Sequence, residues 1–290
     1  MKINFTFIFL ISCISICFAQ NNVIQGQIVD GLTGEPLSFC SIGWLNLNKG
    51  TVAGPQGKFK LESISEQTNP TLKISKIGYK PLNILWSEIK EHCILGDCPM
   101  VFELTPDSVE LPEFVLESEG ENAYRNWGKT SRKSMFGLAY NPKSRKPEEN
   151  LGREIGFEID TKGKQVKLLS VKMGLSLLQF ESAVFRINIY KVMNDEKFEL
   201  IHTRDELIWT LKPNDTKEYE FDLESMNILL QDRHLIGIEW IAYEKIIEDG
   251  IISMTTGFPF GKSFLKKSSH DGWEEVKGAP SIQVSGMILN

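Results

Sequence analysis

Histidine and cysteine are scarce, four and five in 290 residues. His92, His202, His234 and His270 lie far apart and do not make the clustered ligand set of a zinc site, so no metal is expected. A basic field is also missing. With 32 Lys+Arg against 38 Asp+Glu and a net charge of −6, the chain lacks the electrostatic footprint of a nucleic-acid binder. No G-x-S-x-G elbow occurs. The nearest approach to a phosphate loop, Gly257-Phe258-Pro259-Phe260-Gly261-Lys262-Ser263, has too few residues between its glycines, and Pro259 removes a cradling N–H. Ser268-Ser269-His270-Asp271-Gly272 places the residue types of a triad side by side in one turn, where they cannot form an oriented relay. These absences leave no catalytic residue and no cofactor to name.

What is present begins with an export pattern. Lys2 is the only charge among residues 1–19, Ile3 to Ile16 is almost wholly apolar, and Cys17-Phe18-Ala19 precedes polar Gln20-Asn21-Asn22. That is the pattern of a secretory signal, residues 1–19, cleaved after Ala19. An uncleaved anchor and a lipobox at Leu10-Ile11-Ser12-Cys13 are the alternatives, and each puts the bulk of the chain outside the cytoplasm: periplasm, outer membrane or cell surface. No later apolar run is long enough for a transmembrane helix. In such an oxidising compartment Cys93 and Cys98, flanking Ile94-Leu95-Gly96-Asp97, are expected to close a small disulfide loop. Cys40, in the apolar run Leu37 to Ile42, is expected to be a buried free thiol.

Residues 20–105 carry short alternating strands: Val23 to Val29, Leu37 to Leu47, Lys58 to Leu61, Thr71 to Ser75 and Pro81 to Trp86. Turn clusters at Asp30 to Pro36 and Gly54 to Gly57 separate them, the signature of an all-β sandwich. The string Gly26-x-Ile28-Val29-Asp30-x3-Gly34-Glu35-Pro36-Leu37, then Lys49-Gly50-Thr51, Gly57-Lys58-Phe59 and Ile77-Gly78-Tyr79-Lys80, resembles the carboxypeptidase regulatory-like domain. The resemblance implies a seven-stranded, transthyretin-like sandwich. In Gram-negative envelopes that domain often precedes a TonB-dependent receptor. The stretch that follows here is too short for a plug and a large barrel, so the implied relation is a shared module and not a full receptor. Asp30 and Glu35 on one turn fall short of the oxygen count calcium takes.

Residues 106–147 divide sharply by charge. Asp107, Glu110, Glu113, Glu117, Glu119 and Glu121 come with no base; Arg125, Lys129, Arg132, Lys133, Lys143, Arg145 and Lys146 follow with no acid. The expectation is a charged linker, acidic then basic. Asp107-Ser108-Val109 also resembles a short O-glycosylation site of Gram-negative envelopes.

Residues 148–290 alternate again, most clearly over Glu154 to Ile159, Lys167 to Leu175, Ala183 to Tyr190, Glu218 to Phe221, Leu235 to Ala242, Ile251 to Thr255 and Ser281 to Leu289. The expected fold is a second, jelly-roll-like β-sandwich. Glu158, Glu218, Glu220, Asp222 and Glu239 lie on strands and are the candidates for a two-carboxylate hydrolase. Trp209, Phe258, Phe260 and Trp273 are the expected ligand-binding residues, since a sugar face combines aromatic stacking with polar neighbours. The leading expectation is therefore a non-catalytic, exported binding protein with a glycan or an envelope protein as partner. A docking accessory of an outer-membrane complex comes second and a glycoside hydrolase third.

Overall fold

The computed structural model describes residues 23–64, 69–94, 100–107, 123–130, 136–142, 146–193, 197–202, 207–244 and 250–289. The expected signal segment, Cys13, Ser108 and Cys98 lie outside the described residues, as does the side chain of Cys93, and with them the expected disulfide. No helix among the described residues is long and apolar enough to cross a membrane.

The chain is nearly all β, as expected, in several sheets stacked as sandwiches. The first unit holds β1 (Val23–Asp30), β2 (Ser41–Trp44), β3 (Lys49–Val52), β4 (Lys58–Glu62), β5 (Thr71–Ser75), β6 (Leu82–Leu85) and β7 (Met100–Leu104). They form a three-stranded sheet, β4-β1-β7, and a four-stranded one, β3-β2-β5-β6. Period-two alternation explains the core between them. Ile24 and Ile28, Phe59 and Leu61, Leu72 and Ile74 all point inward and are buried, with Cys40 buried beside them. Gly26 is needed for space: a Cβ there would lie 2.7 Å from the Phe102 ring and 2.8 Å from Phe59, which lean together over the strand.

One element departs from the alternation. After β6 the chain turns into α1 (Trp86–Ile94). Glu88 accepts the Leu85 N–H and Asn69 accepts the Ser87 N–H, which caps the first turn. Ile89 fills the core, and Trp86 meets Trp44 edge-on at 5.7 Å.

The second unit begins earlier than residue 148. β8 (Ala123–Gly128) and β9 (Gly137–Asn141) are the two edges of a sheet ordered β8-β21-β11-β18-β9, built with β11 (Val166–Leu178), β18 (Ile252–Thr255) and β21 (Ile282–Ile288). β15 (Glu218–Asp222) and β16 (Leu229–Leu230) also pair with β11. The linker expectation for 106–147 is thus corrected over 123–128 and 137–141. Trp127 and Tyr140 are buried in the second core and anchor these two strands. Trp127 donates to the Asp160 carbonyl at 3.0 Å, and Tyr140 to that of Ile238 at 3.0 Å. Trp127→Phe is expected to keep the packing, orphan that carbonyl and cost about 1–2 kcal/mol, read from the urea midpoint.

The facing sheet runs β13-β12-β17-β10-β19-β20, with β14 also on β12. Its strands are β10 (Glu154–Asp160), β12 (Ser182–Val192), β13 (Phe198–His202), β14 (Ile208–Leu211), β17 (Arg233–Glu244), β19 (Lys262–Lys266) and β20 (Glu274–Lys277). Ile155, Phe185, Ile187, Ile236 and Ile238 line its inner face. The near-Walker string enters strand β19 and not a helix, so it forms no phosphate cradle.

Candidate functional site

The outer face of that second sheet carries four charges in one row. Glu154 on β10 lies in register with Lys266 on β19 and with Glu239 on β17, and Glu239 lies in register with Arg186 on β12. The order across the sheet is Lys266, Glu154, Glu239, Arg186. Inner-face neighbours Ile155, Phe185 and Ile238 belong to the core, so alternation directs these side chains to the opposite side. There they are covered: Glu154 is 0% and Glu239 2% exposed.

Two glycines and an asparagine make the next row, Gly156, Gly237 and Asn188. A Cβ on Gly237 would lie 2.0 Å from Glu154 Oε1, so only glycine leaves room for the carboxylate. Asn188 donates to Glu154 Oε1 at 2.9 Å and to Glu239 Oε2 at 2.9 Å, tying the two acids together. Tyr190 donates to Glu154 Oε2 at 2.8 Å, and Lys266 Nζ stands 3.6 Å from the same oxygen. Arg186 grips Glu239 Oε2 through Nε at 3.0 Å and Nη2 at 2.7 Å, while Ser269 donates to Oε1 at 2.8 Å. All four carboxylate oxygens therefore have a polar partner.

Electrostatics separates the acids. Burial, joined by the repulsion of Glu239, pushes Glu154 up to about 7 despite Lys266. Burial also disfavours charge on Glu239, but Arg186 and Lys266 outweigh it and hold that carboxyl below its ordinary range. Like charges on facing residues of one ladder cannot both ionise freely, so the pair titrates as a unit with its last proton on the Glu154 side.

The row ends at the first sandwich. Arg186 Nη1 donates to the Phe39 carbonyl at 3.0 Å and Nη2 to Ser41 Oγ at 2.9 Å. The Ser268–Asp271 turn lies on the β2–β3 hairpin beside it. His270 Nε2 is 3.2 Å from the Ser41 carbonyl, and Asp271 Oδ1 accepts the Asn48 N–H at 3.0 Å. Gly43 and Gly50 face each other in that hairpin. A Cβ on Gly50 would meet Ser268 at 2.8 Å, and one on Gly43 would meet the His270 side chain at 3.4 Å. Phe39, at φ 54°, packs against the second core, and Val52 of β3 is buried within it. A bulky residue at positive φ costs energy, and its place here marks a junction that fixes the backbone.

The expected site residues fall elsewhere. Trp209 is half-buried on β14 against Phe221, 4.8 Å between ring centroids. Trp273 is half-buried too, edge-on to Tyr190 at 5.3 Å with Lys266 over its ring, as part of the lid on Glu154. Phe258 and Phe260 are exposed, at 44% and 79%, on the turn before β19, where Phe258 touches Phe136. Trp273 follows β19 and the Phe258–Phe260 turn precedes it, so the structure does not gather the four on one face. Among the expected acids, Glu158 pairs with Arg233, Glu218 accepts from Thr130, Glu220 from Ser170, and Asp222 from the Glu224 N–H. Only Glu239 joins a buried pair, and its partner Glu154 escaped notice in the sequence. Among the described residues no three of His, Cys, Asp and Glu are placed to hold a metal ion.

Residues 24–116 match the model of the CarboxypepD_reg-like domain. The match spans the whole first sandwich, so the resemblance read from its glycine and aromatic blocks is correct. No curated protein matches the chain.

Proposed function

We propose that the chain is an exported, non-catalytic binding protein of a bacterial envelope, in which a CarboxypepD_reg-like sandwich is fixed on a second sandwich that carries the ligand surface. The observation that carries this reading is the Phe258–Phe260 turn. Two exposed aromatic rings stand on a backbone tied by Phe260 N–H to Gly257, Gly257 N–H to Ala279 and Ala279 N–H to Phe260. Rings held out by a fastened turn bind with little ordering cost, as in sugar stacking or a protein contact. The closed acid pair supports a non-catalytic role, since two acids acting on a glycoside must face a cleft and these face protein donors.

A glycan array probed with residues 20–290 tests the reading. Binding to a defined glycan class is expected, with Phe258→Ala/Phe260→Ala weakening it about tenfold or more. Silence on every glycan removes the sugar and leaves the docking reading. That second reading has its own support: β7 is an edge strand with Val101 62% exposed, a place for strand addition by a partner.

A further inference from the structure

We propose that His270 is an acid-sensitive latch between the two sandwiches: a neutral imidazole is required for docking, and proton uptake by the ring releases the first sandwich. The ring sits in the junction, over Gly43 of β2, with Nε2–H directed at the Ser41 carbonyl. The same serine holds Arg186 through its hydroxyl, so one residue of the first sandwich is pinned by a fixed cation and a titratable ring.

Every charge around the ring bears on what a proton there would do. From β12 comes Arg186, from β19 Lys266, and from β5 Lys73; the last two each disfavour a positive ring. From β17 comes Glu239, the one acid that favours it, but that carboxylate is already occupied by Arg186, Asn188 and Ser269. Asp271 in the same turn is held by Ser268 and Asn48. An imidazolium would enter a buried place with three cations near it and, among the described residues, no uncommitted carboxylate.

Burial first, then Lys73 and Lys266, outweigh the Ser41 hydrogen bond and Glu239 and lower the ring to about 4 from its ordinary 6.5. The sign follows from linkage. The docked form resists the proton, so docking is at full strength above pH 6.5 and is lost as pH falls toward 4. For a ring that regains its ordinary pKa on release, the docking equilibrium shifts roughly 30-fold between pH 7.5 and pH 5. Glu154 acts in the opposite sense, and a change confined to His270 separates the two.

Hydrogen exchange of residues 20–290, corrected for intrinsic rates, is compared at pH 7.5 and pH 5. Peptides covering 39–53 and 267–273 are expected to lose protection roughly 30-fold at pH 5, while β11 and β21 keep theirs. His270→Gln retains an N–H for Ser41 but cannot titrate, and is expected to show no such loss. Equal protection of the wild type at both pH values overturns the latch. So does the same acid loss in His270→Gln, or a loss that extends to β11 and β21. Should His270→Gln not fold, the imidazole titration in the wild type decides by proton NMR, a midpoint near 4 supporting the latch and one near 6.5 overturning it.

Discussion

Glu239→Ala is expected to lower the unfolding free energy by about 3–5 kcal/mol, the usual cost of breaking one side of a buried ion pair. Glu239 is 2% exposed and accepts from Arg186, Asn188 and Ser269. Truncation removes one anion between two cations whose own side chains are little exposed, Arg186 at 12% and Lys266 at 11%. Arg186 then keeps only the Phe39 carbonyl and Ser41 hydroxyl, neither of which carries a charge. Glu239→Gln should cost less, because one amide oxygen still accepts. Arg186→Met/Glu239→Leu should regain most of the loss, since an apolar pair removes both desolvation penalties. The double variant also gives up both bonds to the first sandwich. Its core is therefore expected to recover stability in urea while hydrogen exchange at residues 39–53 stays fast. A Glu239→Ala loss below about 1 kcal/mol would place the cluster with solvated surface pairs and remove the argument.

The first sandwich was legible because β1, β4 and β5 alternate cleanly and its turns carry glycine at fixed places. Where charge and packing disagreed, composition misled. The run from Asn122 to Pro147 holds seven basic residues and no acid, yet Trp127 and Tyr140 decide its structure, since one buried aromatic outweighs several solvated lysines. Helix α1 was hidden for a related reason: Trp86 and Ile89 are its apolar anchors, too few to impose a visible period. The charge row lay beyond reach because its members come from four strands far apart in sequence, and no local pattern reports register. One signal did exist. Gly43, Gly50, Gly156 and Gly237 stand inside strands, and glycine there marks a close approach by another group. The Ser268–Asp271 turn holds the residue types of a triad, and its polar side chains serve the junction. Trp209 and Trp273 read as ligand residues for ring stacking beside polar neighbours, and both are half-buried on other rings.

Raising the pH from 5 to 9 is expected to destabilise the wild type relative to Glu154→Gln by about 3 kcal/mol. Glu154 has an ordinary pKa of 4.5 and is pushed up to about 7 in the fold. A raised carboxyl contributes stability that is complete below 4.5 and is lost as pH climbs through 7, because the unfolded chain releases the proton first. Glu239 is shifted the other way, so its contribution holds above 4.5 and fades only on the acid side. Tyr140 and Tyr190 are raised well above their ordinary 10 by burial and by Glu154, so their losses begin only above pH 10, and His270, whose lowered ring favours the folded chain as pH rises from 5, contributes equally to both chains. Glutamine keeps an oxygen for Asn188 and Tyr190 and carries no charge to desolvate, while Lys266 retains the Tyr190 hydroxyl at 3.5 Å. Urea unfolding at pH 5, 7 and 9 makes the comparison. The variant should be near the wild type at pH 5 and more stable than it at pH 9. If instead the two chains keep a constant difference from pH 5 to 9, the proton sits elsewhere, and the Glu154–Glu239 pair is ionised at both positions at neutral pH.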